Sequence, residues 1–311
     1  MRYIFFGSSE FAKIVLEKLL KNGWKPILVV TAPPKPKGRK KILSPAPVYE
    51  LSLANNLKTA IPENLKDEKF INLLKSPTPD FAILTAYGKI IPVEVLKIPR
   101  KGFLNLHPSL LPRWRGATPI QSAILTDEET GVTLFVMDEK IDHGPTIKNK
   151  KLNIKNKKYT YPELLKELAI LGTKVIIESA PQWLEGKITP LPQDEFLATY
   201  CHKITSEDEK INWNKSAIEI DRKTRALNPQ PGVYTLINDR ILKIISGFPS
   251  NDNIRSLAKA TGEVFEIDKK MAVKCRDGFY LIEEIKPAGK NIMSGENFLR
   301  GNQQIIGKIL N

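Results

Sequence analysis

Residues 102–145 read GFLNLHPSLLPRWRGATPIQSAILTDEETGVTLFVMDEKIDHGP. The stretch begins with a short apolar run, Phe103, Leu104 and Leu106, into which Asn105 and His107 alternate. In a strand, that alternation puts Asn105 and His107 on one face, two residues apart. Pro108 and Pro112 then stiffen a loop whose Ser109, Leu110 and Leu111 include two leucines at the strand's end. Apolar loop residues flanked by polar groups suit a pocket wall. A second strand over residues 132–137 ends in a loop holding Asp138, Glu139, Asp142 and His143. An amide, an imidazole and a carboxylate thus come from the ends of two strands, where open α/β sheets place their sites.

Upstream, residues 2–6 predict a buried strand, residues 7–9 a turn and residues 10–21 a helix with Phe11, Ile14, Val15 and Leu19 on its apolar face. Strand, glycine turn and helix open a Rossmann-like unit. Gly7 stands alone, however, and no acidic residue ends the second strand at residues 27–31. Both absences argue against a dinucleotide. Residues 32–47 hold prolines at 33, 34, 36, 45 and 47 and the basic cluster Lys35, Lys37, Arg39, Lys40 and Lys41. Such a composition excludes a helix or a central strand, and the stretch is long for a βα loop. A functional loop and a solvated surface loop both fit it. Helices follow at residues 47–57 and 65–74, then a strand at 80–85 ending in Ala86-Tyr87-Gly88. A left-handed turn at Gly88 is sufficient reason for that glycine.

Downstream, residues 146–154 predict a strand. Thr160-x-x-Glu163 is a capping box that starts a long helix ending near residues 183–186. Pro190, Pro192 and a lack of periodicity place a linker at residues 189–206, between a domain at 1–188 and another at 207–311. The second domain begins with an extended Ile211-x-Trp213 and a helix at 216–227, stopped by Asn228-Pro229-Gln230-Pro231-Gly232. Five short strands follow, at 233–237, 241–246, 262–267, 272–274 and 279–285, a spacing that fits a small barrel or sandwich.

With 311 residues, 41% hydrophobic and 26% charged, the chain suits a soluble two-domain protein. It has no run of eighteen apolar residues and no signal-peptide pattern, so no membrane association is expected. Two cysteines, Cys201 and Cys275, point to a reducing, cytoplasmic setting rather than a disulfide framework. The net charge is +14, and residues 1–50 hold ten Lys and Arg against three Glu, or +7, half of the total. That asymmetry suits a polyanionic partner, although lysine-rich surfaces also serve solvation alone. His107, Asp142, His143, Cys201 and His202 show no ligand-pair spacing of a known metal site, so no metal is expected.

Asn105-x-His107-x-Ser109-Leu110-Leu111-Pro112, with Asp142 downstream, resembles the signature of the folate-dependent formyltransferases. The continuation Arg113-Trp114-Arg115-Gly116-Ala117-Thr118-Pro119-Ile120 resembles the branch of that family acting on initiator methionyl-tRNA. So does Ile211-x-Trp213 with Asn228-Pro229-x-Pro231-Gly232, and the resemblance covers nearly the whole chain. It implies a Rossmann-like α/β formyltransferase domain followed by an OB-like barrel. It also implies a monomer using 10-formyltetrahydrofolate as co-substrate. By resemblance, Asn105, His107 and Asp142 are catalytic. Ser109, Leu110, Leu111 and Pro112, with Ala86, Tyr87 and Gly88, line the folate, and Lys35, Lys37, Arg39, Lys40 and Lys41 meet the tRNA.

Formyl transfer to an amine passes through a tetrahedral adduct with a developing oxyanion. The Asn105 amide suits that oxygen, a role worth about 3–4 kcal/mol. His107, when protonated, suits a donor to the oxygen or the leaving nitrogen, with Asp142 orienting it. An α-amine of pKa about 8 needs no strong base. Two departures from the family pattern stand out: Lys140 where a glycine is usual, and Gly7-Ser8-Ser9 in place of Gly-Thr-Pro. Two alternatives stay open. A formyltransferase for a small amine, such as a nucleotide-linked amino sugar or glycinamide ribonucleotide, is opposed by the basic loop and the appended domain. A non-catalytic tRNA-binding protein is opposed by the intact Asn105, His107 and Asp142.

Overall fold

Tyr3–Gly7, Phe81–Thr85 and Phe103–His107 are buried at every position, the mark of strands covered on both faces. In the computed structural model they are the centre of a sheet ordered Thr146–Leu152, Thr130–Val136, Phe103–His107, Phe81–Thr85, Tyr3–Gly7, Leu28–Val30, Thr59–Ala60. The structure describes residues 1–37, 42–155, 157–250 and 260–311, with the Lys37 side chain outside that description. From Phe103–His107 to Thr59–Ala60 every pairing is parallel, as expected of a Rossmann-like core. Thr130–Val136 and Thr146–Leu152 instead run antiparallel at the other edge. The outermost strand exposes Lys148, Lys150 and Lys151. Charges on an edge strand discourage pairing with a foreign strand.

One face of the sheet packs Ile4, Phe6, Leu28, Val30, Leu84 and Phe103 against Phe70 and Leu74 of helix Glu68–Lys75. Full burial of each such side chain contributes about 1.5–3 kcal/mol. Helix Tyr161–Leu184 packs on the strand Phe103–His107, for a Cβ on Gly172 would lie 2.5 Å from Leu106 Cδ2. Leu106 therefore faces the helix, and Asn105 and His107 take the opposite side.

Gly7, Ser8 and Ser9 close the first strand tightly. A Cβ on Gly7 would lie 2.7 Å from Ala12 Cβ and 2.8 Å from the Phe5 ring. Ser9 caps helix Glu10–Lys21 by accepting from Ala12 N at 3.3 Å. Ser8 Oγ accepts from Ala32 N at 3.0 Å, and Ser8 N donates to Ala86 O at 3.3 Å. The serines that depart from the family pattern thus cap a helix and join three strand ends. Residues 32–47, expected to be irregular, contain a short antiparallel ribbon, Lys35–Lys37 with Ile42–Ser44, outside the main sheet. A two-stranded ribbon tolerates Pro36, which a central strand would not.

The chain divides into two compact units: residues 1–119 with 129–153 and 162–201, and residues 120–128 with 154–161 and 202–311. Part of the stretch expected as a linker is strapped to the first unit. Leu191 exchanges backbone bonds of 2.7 and 2.8 Å with Thr146, and Tyr200–Cys201 pairs in parallel with Arg115–Gly116.

The second unit carries an antiparallel sheet ordered Val233–Ile237, Arg240–Ser250, Phe279–Pro287, Lys270–Lys274, Val264–Ile267, with Met293–Ser294 beside Phe279–Pro287. Helix Ala217–Leu227 packs in this unit, capped reciprocally by Ser216 and Glu219. Ile211 and Trp213 are buried there, and the Trp213 indole N–H donates to Thr235 Oγ1 at 3.0 Å. No helix among the described residues is long and apolar enough to cross a membrane.

Candidate active site

The residues singled out between 102 and 145 meet at the carboxyl ends of the parallel strands, within the first unit. Asn105 and His107 are 7% and 5% exposed. Asp142 reaches them from the loop after Thr130–Val136, with its backbone in the left-handed region at φ 49°. Aspartate is among the few side chains that enter that region readily. Asn105 Nδ2 donates to Asp142 Oδ1 at 3.4 Å, and His107 Nδ1 lies 3.6 Å from Asp142 Oδ2. Gly116 N donates to Asp142 Oδ2 at 2.9 Å. On its far side the imidazole Nε2 donates to the carbonyl of Trp114 at 2.9 Å. Both ring nitrogens thus face oxygens, and a ring protonated at both can donate to each.

Residues 113–116 form the bed for both side chains, and the strap 191–201 holds that bed. Trp114 N donates to Thr199 Oγ1 at 2.9 Å and Arg115 N to Thr199 O at 2.9 Å. Cys201 Sγ accepts from Thr118 N at 3.2 Å and donates to Arg115 O at 3.3 Å. The Arg115 side chain is 1% exposed, with a bidentate bond to Glu195 of 2.6 and 3.0 Å and a fork onto Gln193 Oε1 of 2.8 and 3.2 Å. A buried guanidinium needs a partner of this kind. The pairing raises the Arg115 pKa and holds the Glu195 carboxyl below the usual carboxylate range. His143 turns away from the catalytic candidates, with Nδ1 on Asp138 Oδ2 at 2.5 Å and Nε2 3.5 Å from Glu195.

The apolar loop is pinned from beneath. Thr133, fully buried, accepts from Leu111 N at 3.0 Å and donates to Ser109 O at 2.7 Å. Ser109 Oγ donates to Arg113 O at 2.6 Å. Ser109 and Leu111 are buried, while Leu110 and Pro112 remain half-exposed. In the loop after the adjacent strand Phe81–Thr85, Ala86 (φ 43°) and Gly88 (φ 82°) take left-handed conformations and are exposed. Tyr87 between them turns inward, 2% exposed and edge-on to Phe6 at 5.6 Å, and burial pushes its phenol up to about 12. Its ring packs in the core, so Ala86 and Gly88 are the residues of this segment that face outward. Lys140 is exposed and outside the left-handed region, so its loop does not require a glycine there.

Of the basic cluster, Lys35 is exposed on the ribbon and Lys37 forms part of its backbone. Arg39, Lys40 and Lys41 lie outside the described residues. Among the described residues no group of three His, Cys, Asp or Glu side chains converges as metal ligands would. Thr133, Arg115 and Gln193 have no local signal for their roles. Arg115 stands in the motif quoted above, but its partners are about eighty residues away.

Comparison with known proteins matches the family model described as "Formyl transferase" to residues 1–180, and "Formyl transferase, C-terminal domain" to residues 203–303. A methionyl-tRNA formyltransferase of Thermodesulfovibrio yellowstonii is 40% identical over 96% of this chain and 96% of its own. One of Dictyoglomus thermophilum is 39% identical over 99% of each. Among solved structures, HypX from Aquifex aeolicus in complex with tetrahydrofolic acid superposes with a TM-score of 0.65 at 18% identity. That match covers 99% of this chain and 48% of HypX, so this chain spans about half of that protein.

Proposed function

The chain belongs to the formyltransferase family, and from that premise we propose that it formylates the methionine amino group of initiator methionyl-tRNA, using 10-formyltetrahydrofolate. The observation that carries this reading is the convergence of Asn105, His107 and Asp142 beside an apolar loop, in a chain similar from end to end to methionyl-tRNA formyltransferases. The residues suit a folate-type donor. Leu110 offers an apolar surface on a loop fixed by Thr133, and Ala86 and Gly88 stand exposed in the loop after strand Phe81–Thr85.

The donor supplies a formyl carbonyl whose oxygen gains negative charge as the amine adds. Asn105 then serves as an amide donor to that charge. It is preorganised by burial and by its bond to Asp142, so little reorganisation accompanies the charge development. His107 is the proton carrier. The Trp114 carbonyl and the Asp142 carboxylate fix the ring plane from its two sides. Asp142 balances the imidazolium charge and, held by Gly116 N, keeps its other oxygen on the amide. As the adduct collapses, the bond between the formyl carbon and the folate nitrogen breaks and that nitrogen leaves with the proton His107 carries, while the added amine gives up its own proton to the imidazole.

The basic ribbon and the C-terminal domain, which we read as OB-like, contact the tRNA. The protein works as a cytoplasmic monomer with no metal and no membrane. The deciding experiment is formyl transfer from 10-formyltetrahydrofolate to charged initiator tRNA, beside free methionine and nucleotide-linked amino sugars. Efficient transfer to an amino sugar, with none to charged tRNA, would replace this reading with the small-amine one.

A further inference from the structure

Asp142 depends on a backbone conformation that its own side chain does not secure. Its φ of 49° lies in the left-handed region, which aspartate enters more readily than most residues but at a cost that its surroundings help to offset. Two residues on, a Cβ at Gly144 would collide with the carbonyl of Val136, so the loop turns back tightly against its own strand. The carbonyls of Asp142 and Gly144 receive their bonds from one distant side chain. Gln193 Nε2 donates to Asp142 O at 3.0 Å and to Gly144 O at 2.8 Å.

The other end of that amide is held as firmly. Gln193 Oε1 accepts from Arg115 Nε and a terminal guanidinium nitrogen, and the same guanidinium grips Glu195 two residues along the strap. Arg115 lies between Trp114, whose carbonyl receives His107, and Gly116, whose N–H reaches the Asp142 carboxylate. A closed circuit therefore runs from the imidazole's backbone bed, through Arg115 and Gln193, to the backbone of the carboxylate that faces that imidazole.

We propose that Gln193 and Arg115 are positioning residues that set the Asp142 carboxylate against Asn105 and His107, an inference that rests on the formyl-transfer reading above. Their polar atoms are engaged with each other, with Glu195 and with the carbonyls of Asp142 and Gly144. They tie the two loops that meet at the site to one strap, so displacement of the strap displaces the carboxylate. A carboxylate shifted by up to about 1 Å loses about 10- to 100-fold in rate.

Two substitutions of Gln193 and a double-mutant cycle test this on the full-length enzyme, assayed with charged initiator tRNA. Gln193→Ala removes both ends of the link. Gln193→Glu keeps an acceptor for Arg115, and so the strap's anchor, but sets an oxygen against the two carbonyls. Both should lower kcat about tenfold or more, with KM for tRNA and folate changed less than about twofold. In an Asp142→Asn background, Gln193→Ala should lower kcat by less than about a further twofold, because its effect passes through the missing carboxylate. If Gln193→Glu keeps wild-type kcat, or if Gln193→Ala costs the same factor with and without Asp142, the positioning role is overturned. A fall in rate that only follows the loss of folded enzyme, measured by circular dichroism, overturns it equally. Wild-type turnover in Asp142→Asn alone would instead sink the catalytic reading, independently of Gln193.

Discussion

Asp142 serves three partners with two oxygens: the Asn105 amide, the Gly116 backbone and the His107 ring. Asp142→Asn keeps the size but removes the charge and puts an N–H where one of those donors points. His107→Ala removes the ring altogether. Each should lower kcat by at least about 100-fold, roughly 2.7 kcal/mol of barrier, in steady-state assays on folded enzyme. Asp142→Asn turning over within a few-fold of wild type would contradict the assignment. Leu110 tests the donor side. Leu110→Asp should raise the KM for the folate far more than that for tRNA, and equal effects would move the folate elsewhere. The shared face of Asn105 and His107 was legible because strand alternation is local, whereas Asp142, in a loop, entered the set through the resemblance of the motif. Thr133 and Gln193 were not legible. A buried threonine in an apolar strand and a glutamine just after a proline look unremarkable until the chain brings distant carbonyls to them.

At the scale of elements, periodicity and caps located the longer helices and the core strands, because these signals lie within a few residues, while short elements such as Pro119–Thr126, Thr59–Ala60 and Gly295–Arg300 went unread. Strand direction was less accessible. Thr130–Val136 reads as an apolar run, and nothing in it says that it pairs antiparallel to its neighbour. The strap was missed for a related reason: prolines at 190 and 192 disguise a segment fixed by pairing to Thr146 and Arg115. Helix Ala217–Leu227 offers a sharper test of local chemistry. Bonds from Ser216, led by its backbone N–H, hold the Glu219 carboxyl down to about 2 from 4.5. A carboxyl with a depressed pKa stabilises the fold above its ordinary value and loses that contribution as pH falls through the folded value. The Glu219 side chain is 38% exposed, so solvent screening limits the effect to about 1 kcal/mol. Glu219→Gln should therefore lower stability near neutral pH by about that amount or less. The gap should close between pH 4.5 and 2, read by urea denaturation at stepped pH. A constant gap across that window would show that packing, not the charge-assisted cap, carries the contribution.

For the whole molecule, the fold is shared with proteins such as HypX at 18% identity, so the fold does not select the acceptor. Charge distribution is the feature that can. Half of the +14 net charge falls within residues 1–50, where Lys35, Lys37, Arg39, Lys40 and Lys41 are concentrated. A small amine has little use for such a field. A tRNA acceptor stem does, because each neutralised phosphate releases counterions and steepens the salt dependence by close to one log unit per log unit. Arginine at 39 also offers a planar fork for a phosphate or a base edge, which lysine cannot supply. Measured against charged initiator tRNA, log kcat/KM should fall steeply with log salt. Lys35→Ala and Arg39→Ala should each flatten that slope by about one, and Arg39→Ala should also lower kcat/KM by about 1–3 kcal/mol. Transfer to any small amine the enzyme accepts should be indifferent to both substitutions. A salt slope near zero with tRNA, left unchanged by either substitution, would make the cluster a solvated ornament and return the small-amine acceptor to first place.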